Sequence, residues 1–182
     1  MRLCGIDEAG RGPLAGPLVM AGVILHNPID GLNDSKKLSE KKREALFELV
    51  LANSDSVIVR FSSEQIDALG LSKCLKMGLE EILKTLSADD YLFDGNAKFG
   101  VSGLRTLIKA DALIPEVSAA SILAKVTRDR EMVQLDDLYP HYKFAEHKGY
   151  GTAIHIEAIR QYGLCEIHRK SFKLKALQPA LF

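Results

Sequence analysis

Four carboxylates stand where short apolar segments give way to turns. Asp7 and Glu8 end the run Leu3-Cys4-Gly5-Ile6, Asp94 follows Tyr91-Leu92-Phe93, and Asp111 follows a short strand expected over residues 104–109. Crowded carboxylate oxygens suit a hard divalent cation. Arg11, framed by Gly10 and Gly12, brings a guanidinium that could hold a phosphate, and the glycines let backbone approach a ligand closely. Paired acids, then an arginine between glycines, suggest a metal ion beside a phosphate. No Gly-Lys-Ser/Thr closes the loop, so it is not a Walker loop. Neighbouring strand residues point to opposite faces, so Asp7 and Glu8 can serve one site only if the chain leaves strand geometry there. Taken alone, residues 7–17 read about equally well as a polar turn after an edge strand.

The elements that must position these acids can be read from periodicity. A strand ending at Asp7 is followed by a well-buried one over residues 18–25. Ser39 can cap a helix to about Asn53, with Ala45, Leu46, Leu49 and Val50 on one face. A third strand covers residues 56–63. A helical turn over residues 64–69 follows, then a helix capped by Ser72 and running to about Leu86. Short strands over residues 91–93 and 104–109 alternate with helices, and a long helix is expected from Pro115 to about Leu135, with Pro at a tolerated first position. Antiparallel strands first and helix-separated strands later predict a mixed α/β sheet. Sites in open α/β sheets lie beyond the carboxyl ends of the parallel strands. If the first strand is central and parallel to the later two, Asp7, Asp94 and Asp111 come to one rim. Tyr139-Pro140 breaks the long helix, and Thr152 and Gly163 bound a last one. Two regions result: residues 1–138, and a small helical appendage with a tail over residues 139–182.

Composition narrows the function classes. The chain has 182 residues, is 47% apolar, and carries 24 basic and 24 acidic residues. Residues 141–182 hold seven Lys or Arg against three Glu, so they carry +4 and the first 140 residues −4. Such an end suits a local phosphate contact better than wholesale coating of DNA. Cys4, Cys74 and Cys165 lie far apart, with neither zinc spacing nor a disulfide framework, so free thiols in a reducing cytosol are expected. No secretion signal and no apolar run of the ~18 residues a membrane helix needs is evident. The expectation is a cytoplasmic protein without a membrane partner.

Residues 7–17, Asp-Glu-Ala-Gly-Arg-Gly-Pro-Leu-Ala-Gly-Pro, resemble the first signature of the ribonuclease HII family. Further stretches match in family order over almost the whole chain: Asp34-Ser-Lys-Lys-Leu38, Asp94-Gly-Asn96, Lys109-Ala-Asp111 (with Ala where Gly is usual), Ser118 to Asp129, His147-Lys-Gly-Tyr-Gly-Thr152 and His168-Arg-Lys-Ser-Phe172. The resemblance implies a ribonuclease H-like fold, a mixed five-stranded sheet flanked by helices. It implies hydrolysis of the RNA strand of RNA–DNA hybrids and incision beside single ribonucleotides in duplex DNA. Asp7, Glu8, Asp94 and Asp111 would hold two Mg²⁺ or Mn²⁺ ions, one activating water and one stabilising the leaving 3′-oxygen, to give 5′-phosphate and 3′-hydroxyl ends. Gly10, Arg11 and Gly12 would sense the 2′-hydroxyl in the minor groove, and Tyr150 would stack on the sugar at the RNA-to-DNA junction. Lys36, Lys37, Lys125, Arg169 and Ser171 would be phosphate ligands. His155 reads as a packed or capping residue rather than a general acid.

Two other classes compete. A hybrid-binding protein without hydrolysis would not favour four acids near phosphate, and a carboxylate-pair glycosidase would work without metal. At the C-terminus, Gln178-Pro-Ala-Leu-Phe182 resembles the Gln-x-x-Leu-Phe peptides that bind bacterial sliding clamps, with Leu181 and Phe182 as anchors and Gln178 fixing orientation. Folding of Leu181 and Phe182 back onto the protein's own helices is the competing expectation. The enzyme is otherwise expected to be a monomer.

Overall fold

The computed structural model describes residues 1–32 and 37–172. Five strands form one sheet: β1 (Leu3–Ala9), β2 (Leu18–Leu25), β3 (Ser54–Phe61), β4 (Asp90–Asp94) and β5 (Arg105–Leu107), in the order β3-β2-β1-β4-β5. β1 is central, antiparallel to β2 through Ile6↔Gly22 and Glu8↔Met20, and parallel to β4 through Leu3↔Asp90 and Ile6↔Phe93. β2 pairs antiparallel with β3, and β4 parallel with β5. The mixed sheet read from the sequence is therefore present. β5 is shorter than the expected strand because Lys109 turns left-handed, with φ of 58°, and starts a helical turn over Ala110–Ala112.

The helices are α1 (Glu40–Ala52), α2 (Ser63–Leu69), α3 (Leu71–Thr85), α4 (Pro115–Leu138), α5 (Phe144–His147) and α6 (Ala153–Tyr162). Ser39 accepts a hydrogen bond from the Lys42 N–H at the start of α1, and Thr152 accepts one from His155 at the start of α6, as their positions predict. Ser72 caps nothing: α3 begins one residue earlier, after Gly70 turns out of α2 with φ of 83°. In α1 the buried stripe is Leu46, Phe47 and Val50, and Leu49 faces out. α5 is one turn long, too short for periodicity to reveal.

Strand alternation divides the core. Cys4, Ile6, Leu18, Met20 and Phe93 pack against Cys74, Leu75, Leu79 and Ile82 of α3. Val19, Ala21 and Val23, pointing the other way, pack against α1 and the small-residue face of α4. α4 lies directly on β1 because of Gly5, where a Cβ would come 2.2 Å from the Glu116 carbonyl carbon. That contact fixes the start of α4, and with it the turn carrying Asp111, against the central strand. A third cluster joins Leu14, Ala15 and Met132 to Tyr142, Phe144, Ala158 and Ile159, so the last helices seat on the loop after β1. The three cysteines are free. Among the described residues no helix is long and apolar enough to cross a membrane. Asp34 and Lys36, and the tail with Gln178, Leu181 and Phe182, lie outside the described residues.

Candidate active site

Asp7 and Asp94 stand at the carboxyl ends of adjacent parallel strands, and Asp111 sits in the turn before α4. One carboxylate oxygen from each can be chosen so that all three lie within 4.8 Å of one another. The Asp111 N–H donates to Asp94 Oδ2 at 3.2 Å, tying the two loops. Ala110 needs no left-handed backbone. Lys109 takes that conformation instead, while the Ala110 methyl is buried against Leu92 and Val117. Asp7 is 8% exposed. Burial first, and then the charges of Glu8, Asp94 and Asp111, push its carboxyl well above the usual range. Three acids brought together at such a cost make a site that a divalent cation would relieve.

Glu8 reaches the same cleft from the other side. The chain does not leave strand geometry at Asp7 and Glu8, for both remain paired with β2. Asp7 shares the α4 face with Gly5, and Glu8 turns to the α3 face, where β4 has already ended. Its N–H donates to Asp7 Oδ1 at 2.8 Å. Arg11 Nε lies 2.6 Å from Glu8 Oε1, a close ion pair rather than an aligned hydrogen bond. The guanidinium rests over Phe99 and Phe93, 5.4 and 6.0 Å from the ring centres. Among the described residues nothing donates to the buried Glu8 Oε2, which leaves a carboxylate oxygen that a cation would fit. Burial raises the Glu8 carboxyl and Arg11 opposes the rise. Oxygen-only donors suit Mg²⁺ or Mn²⁺, not zinc.

The loop between β1 and β2 is held by two buried arginines. Gly10 has φ of +95°, and a Cβ there would stand 2.3 Å from Arg128 Nε and 2.6 Å from the Pro17 carbonyl oxygen. Arg128 donates to the carbonyls of Pro17 (2.8 Å), Lys148 (2.8 Å) and Ala15 (3.0 Å). Arg169 donates to those of Gly10 (2.6 Å), Arg11 (3.0 Å), Gly16 (3.0 Å) and Pro17 (3.1 Å). Arg169, expected among the phosphate ligands, is therefore a loop clamp; only 2% of it is exposed and its donors are committed to carbonyls. Sequence reading missed Arg128. The signal was there: Ala120, Ala124, Arg128 and Met132 recur at steps of four in one fully buried stripe of α4.

The other expected contacts scatter. Lys125 pairs with Asp129 at 3.0 Å on the rim of the cleft, and Lys37 is exposed. Ser171 is occupied by Asp67, its hydroxyl and N–H both donating to Asp67 Oδ1, at 2.5 and 2.9 Å. Tyr150 is 46% exposed, with the Arg128 guanidinium 5.6 Å from its ring centre. Asp7, Glu8, Asp94, Arg11, Lys125 and Tyr150 line one open cleft of about 490 Å³. The arrangement can gather divalent cations at one wall and hold a phosphodiester across the loop.

The sequence profile of the family described as Ribonuclease HII matches residues 4–175. The chain belongs to the ribonuclease HII family. It is 62% identical to the Ribonuclease HII of Sulfurovum sp. (strain NBC37-1), over 99% of this chain and 96% of that one. It is 57% identical to the Ribonuclease HII of Campylobacter jejuni strain 81116, over 96% and 92%. Its fold superposes with a TM-score of 0.83 and 29% identity on a chain of a structure titled as the PCNA:RNase HII complex from Archaeoglobus fulgidus, covering 100% of this chain and 98% of that one. As a ribonuclease HII family member the chain is a metal-dependent ribonuclease H hydrolase, and its sheet and helices have the ribonuclease H fold.

Three histidines are buried together among the last helices. His147 and His155 stack 4.3 Å apart, and His155 Nε2 lies 2.9 Å from His168 Nε2. His155 is packed, as its position on the late helix predicts. Burial pushes the His168 imidazole down to about 4, aided by the neighbouring His155, and lowers His147 and His155 in the same direction. The unfolded chain, with histidine near 6.5, takes up protons first. Stability is full above about pH 6.5 and falls toward pH 4, and His168 alone should cost about 2 kcal/mol by pH 5. Asp7 and Glu8 act in the opposite sense, because their raised carboxyls are protonated earlier in the folded chain. Denaturant unfolding of the double variant Asp7→Asn, Glu8→Gln, with EDTA, at pH 7, 6 and 5 therefore checks the histidines. A flat profile would mean they are not held neutral.

Proposed function

We propose that this enzyme hydrolyses the RNA strand of RNA–DNA hybrids and incises 5′ of single ribonucleotides embedded in duplex DNA, leaving 5′-phosphate and 3′-hydroxyl ends. The observation that carries the reading is the meeting of Asp7, Asp94 and Asp111 within 4.8 Å, with Asp7, Glu8 and Asp94 lining an open cleft. These three and Glu8 would hold two Mg²⁺ or Mn²⁺ ions. Bound there, the ions supply Lewis acidity to the attacking water and to the leaving 3′-oxygen of an in-line displacement. The protein's own part is placement. Asp111 and Asp94 lock each other through a backbone hydrogen bond, and Arg128 and Arg169 hold the Gly10-Arg11-Gly12 backbone where it could meet a 2′-hydroxyl, the group that separates RNA from DNA. Tyr150 presents a half-exposed ring in the same cleft, beside Gly12, for a sugar at the RNA-to-DNA junction. Residues 1–138 would thus carry the chemistry and residues 139–182 the junction contact, in a cytoplasmic monomer.

An incision assay on duplex DNA with one ribonucleotide tests this reading. Cleavage 5′ of the ribonucleotide is expected with Mg²⁺ or Mn²⁺ and none in EDTA. Cleavage that survives EDTA, or activity on long hybrids alone, would overturn it.

The same proposal extends to a sliding clamp as partner, through Gln178, Leu181 and Phe182. Its support is the terminal Gln-Pro-Ala-Leu-Phe sequence, together with the clamp complex of the 29% identical Archaeoglobus relative. Two apolar anchors and a stiffening proline suit a peptide that docks in a groove. Removing residues 178–182 should abolish binding to the cognate clamp at an unchanged melting temperature. If the full-length protein binds no clamp, or truncation mainly lowers the melting temperature, the tail belongs to the enzyme's own fold.

A further inference from the structure

Tyr150 is held from behind as well as beneath. Its carbonyl accepts the Thr152 N–H at 2.8 Å and faces His155 Nδ1 at 2.8 Å. On the other edge of that ring, His155 Nε2 meets His168 Nε2 at 2.9 Å. The Cys165 N–H points at His168 Nδ1 from 2.9 Å. These contacts leave one neutral solution. A carbonyl can only accept, so His155 carries its proton on Nδ1 and its Nε2 is an acceptor. His168 Nδ1 receives an N–H, so its proton sits on Nε2 and is donated to His155. Every ring nitrogen in the line is then satisfied, from the Cys165 backbone to the Tyr150 carbonyl. His147 is settled in the same way: its Nδ1 accepts the Gly149 N–H at 3.1 Å and its Nε2–H donates to the Tyr142 carbonyl at 2.5 Å.

The line also reaches the glycine loop. His168 forms an isolated antiparallel bridge with Ala15, the Gly16 N–H donates to the Ile167 carbonyl, and the Arg169 N–H to that of Leu14. The segment that positions the loop near the acids is therefore continuous with the one that positions Tyr150.

We propose that His168 and His155 form a tautomer-locked relay that fixes the Tyr150 backbone, making both histidines positioning residues for the enzyme's choice between an embedded ribonucleotide and a long hybrid. The functional half rests on the junction role given to Tyr150 above. The relay removes the freedom of a loop flanked by Gly149 and Gly151, so that the ring meets the sugar already placed. A packing role alone would tie neither tautomer to substrate choice.

Imidazole nitrogen NMR of the wild-type enzyme near neutral pH is the first measurement, and it needs no variant. A proton on His168 Nε2 and on His155 Nδ1 is expected; the reverse tautomers, or a charged ring, would overturn the relay. The second is the ratio of kcat/KM for duplex DNA with one ribonucleotide to that for a long hybrid. His155→Leu, which cannot donate to the Tyr150 carbonyl, should lower the ratio about five- to tenfold, through KM for the embedded substrate. His155→Asn, whose amide can donate there, should keep it near wild type, and this comparison stands even if the leucine variant fails to fold. Tyr150→Ala separates the two readings. If Tyr150→Ala leaves the ratio unchanged, the junction role fails. If Tyr150→Ala lowers it while folded His155→Leu does not, or if His155→Asn falls with Tyr150→Ala, the relay fails alone.

Discussion

Asp94→Asn should lower incision by about a hundredfold or more while the chain stays folded, because the acids that would hold the divalent ions lose one charged ligand, and with it Lewis acidity those ions would supply. The substitution is close to isosteric. Asp94 ends β4, and its Oδ2 accepts the Asp111 N–H at 3.2 Å, a bond the amide oxygen can still accept. The loop carrying Asp111 should therefore stay in place. What is lost is one of three acids whose oxygens gather within 4.8 Å. Asp94 also raises the carboxyls of Asp7 and Glu8 by repulsion, so its removal relieves the remaining acids. The metal-free variant should melt no lower than wild type, and substrate should bind as well or better as repulsion from phosphate drops. Single-turnover incision at saturating Mg²⁺, beside a melting curve and a binding titration, separates these effects. Near wild-type turnover in the folded variant would remove Asp94 from the site.

Much of this site is legible in the sequence because sheet geometry is simple. An acid directly after an apolar segment lies at a strand end, and parallel order puts such ends on one rim; Asp7 and Asp94 are found that way. Asp111 needed more, since its strand stops at Leu107 and a left-handed Lys109 turns the chain back toward the rim. Glu8 shows the opposite failure. Alternation correctly sends it away from Asp7, and no sequence rule says that β4 ends early enough for both faces to open on one cleft. Arg169 and Ser171 read as surface cations and hydroxyls, because a side chain's partners are set by tertiary contacts to residues far along the chain. The Gly5 contact with α4 was invisible for the same reason.

Arg128→Met is expected to be among the most destabilising single changes in the chain, and the reason lies in what it leaves behind. Arg128 is 1% exposed, and its guanidinium is met by three carbonyls, those of Ala15, Pro17 and Lys148, with no carboxylate among these bonds. Burial pulls its own proton affinity down, so the charge itself is held at a cost. Replacing it with an apolar chain recovers that cost. The Pro17 carbonyl keeps Arg169 as a donor, but those of Ala15 and Lys148 lose the guanidinium. An orphaned buried acceptor costs about 1–3 kcal/mol, so a net loss of about 3 kcal/mol is expected after the recovered desolvation. Lysine should not rescue it, since one ammonium on a flexible stem cannot reproduce the fork that meets three carbonyls. Activity should fall further than stability. Arg128 sets the loop bearing Gly10 and Arg11 from one side and supports the Tyr150 ring from the other. Urea unfolding gives the first number. Incision measured well below the variant's melting temperature gives the second. Wild-type stability with wild-type incision would show that Arg169, with its four carbonyl contacts, holds the loop alone.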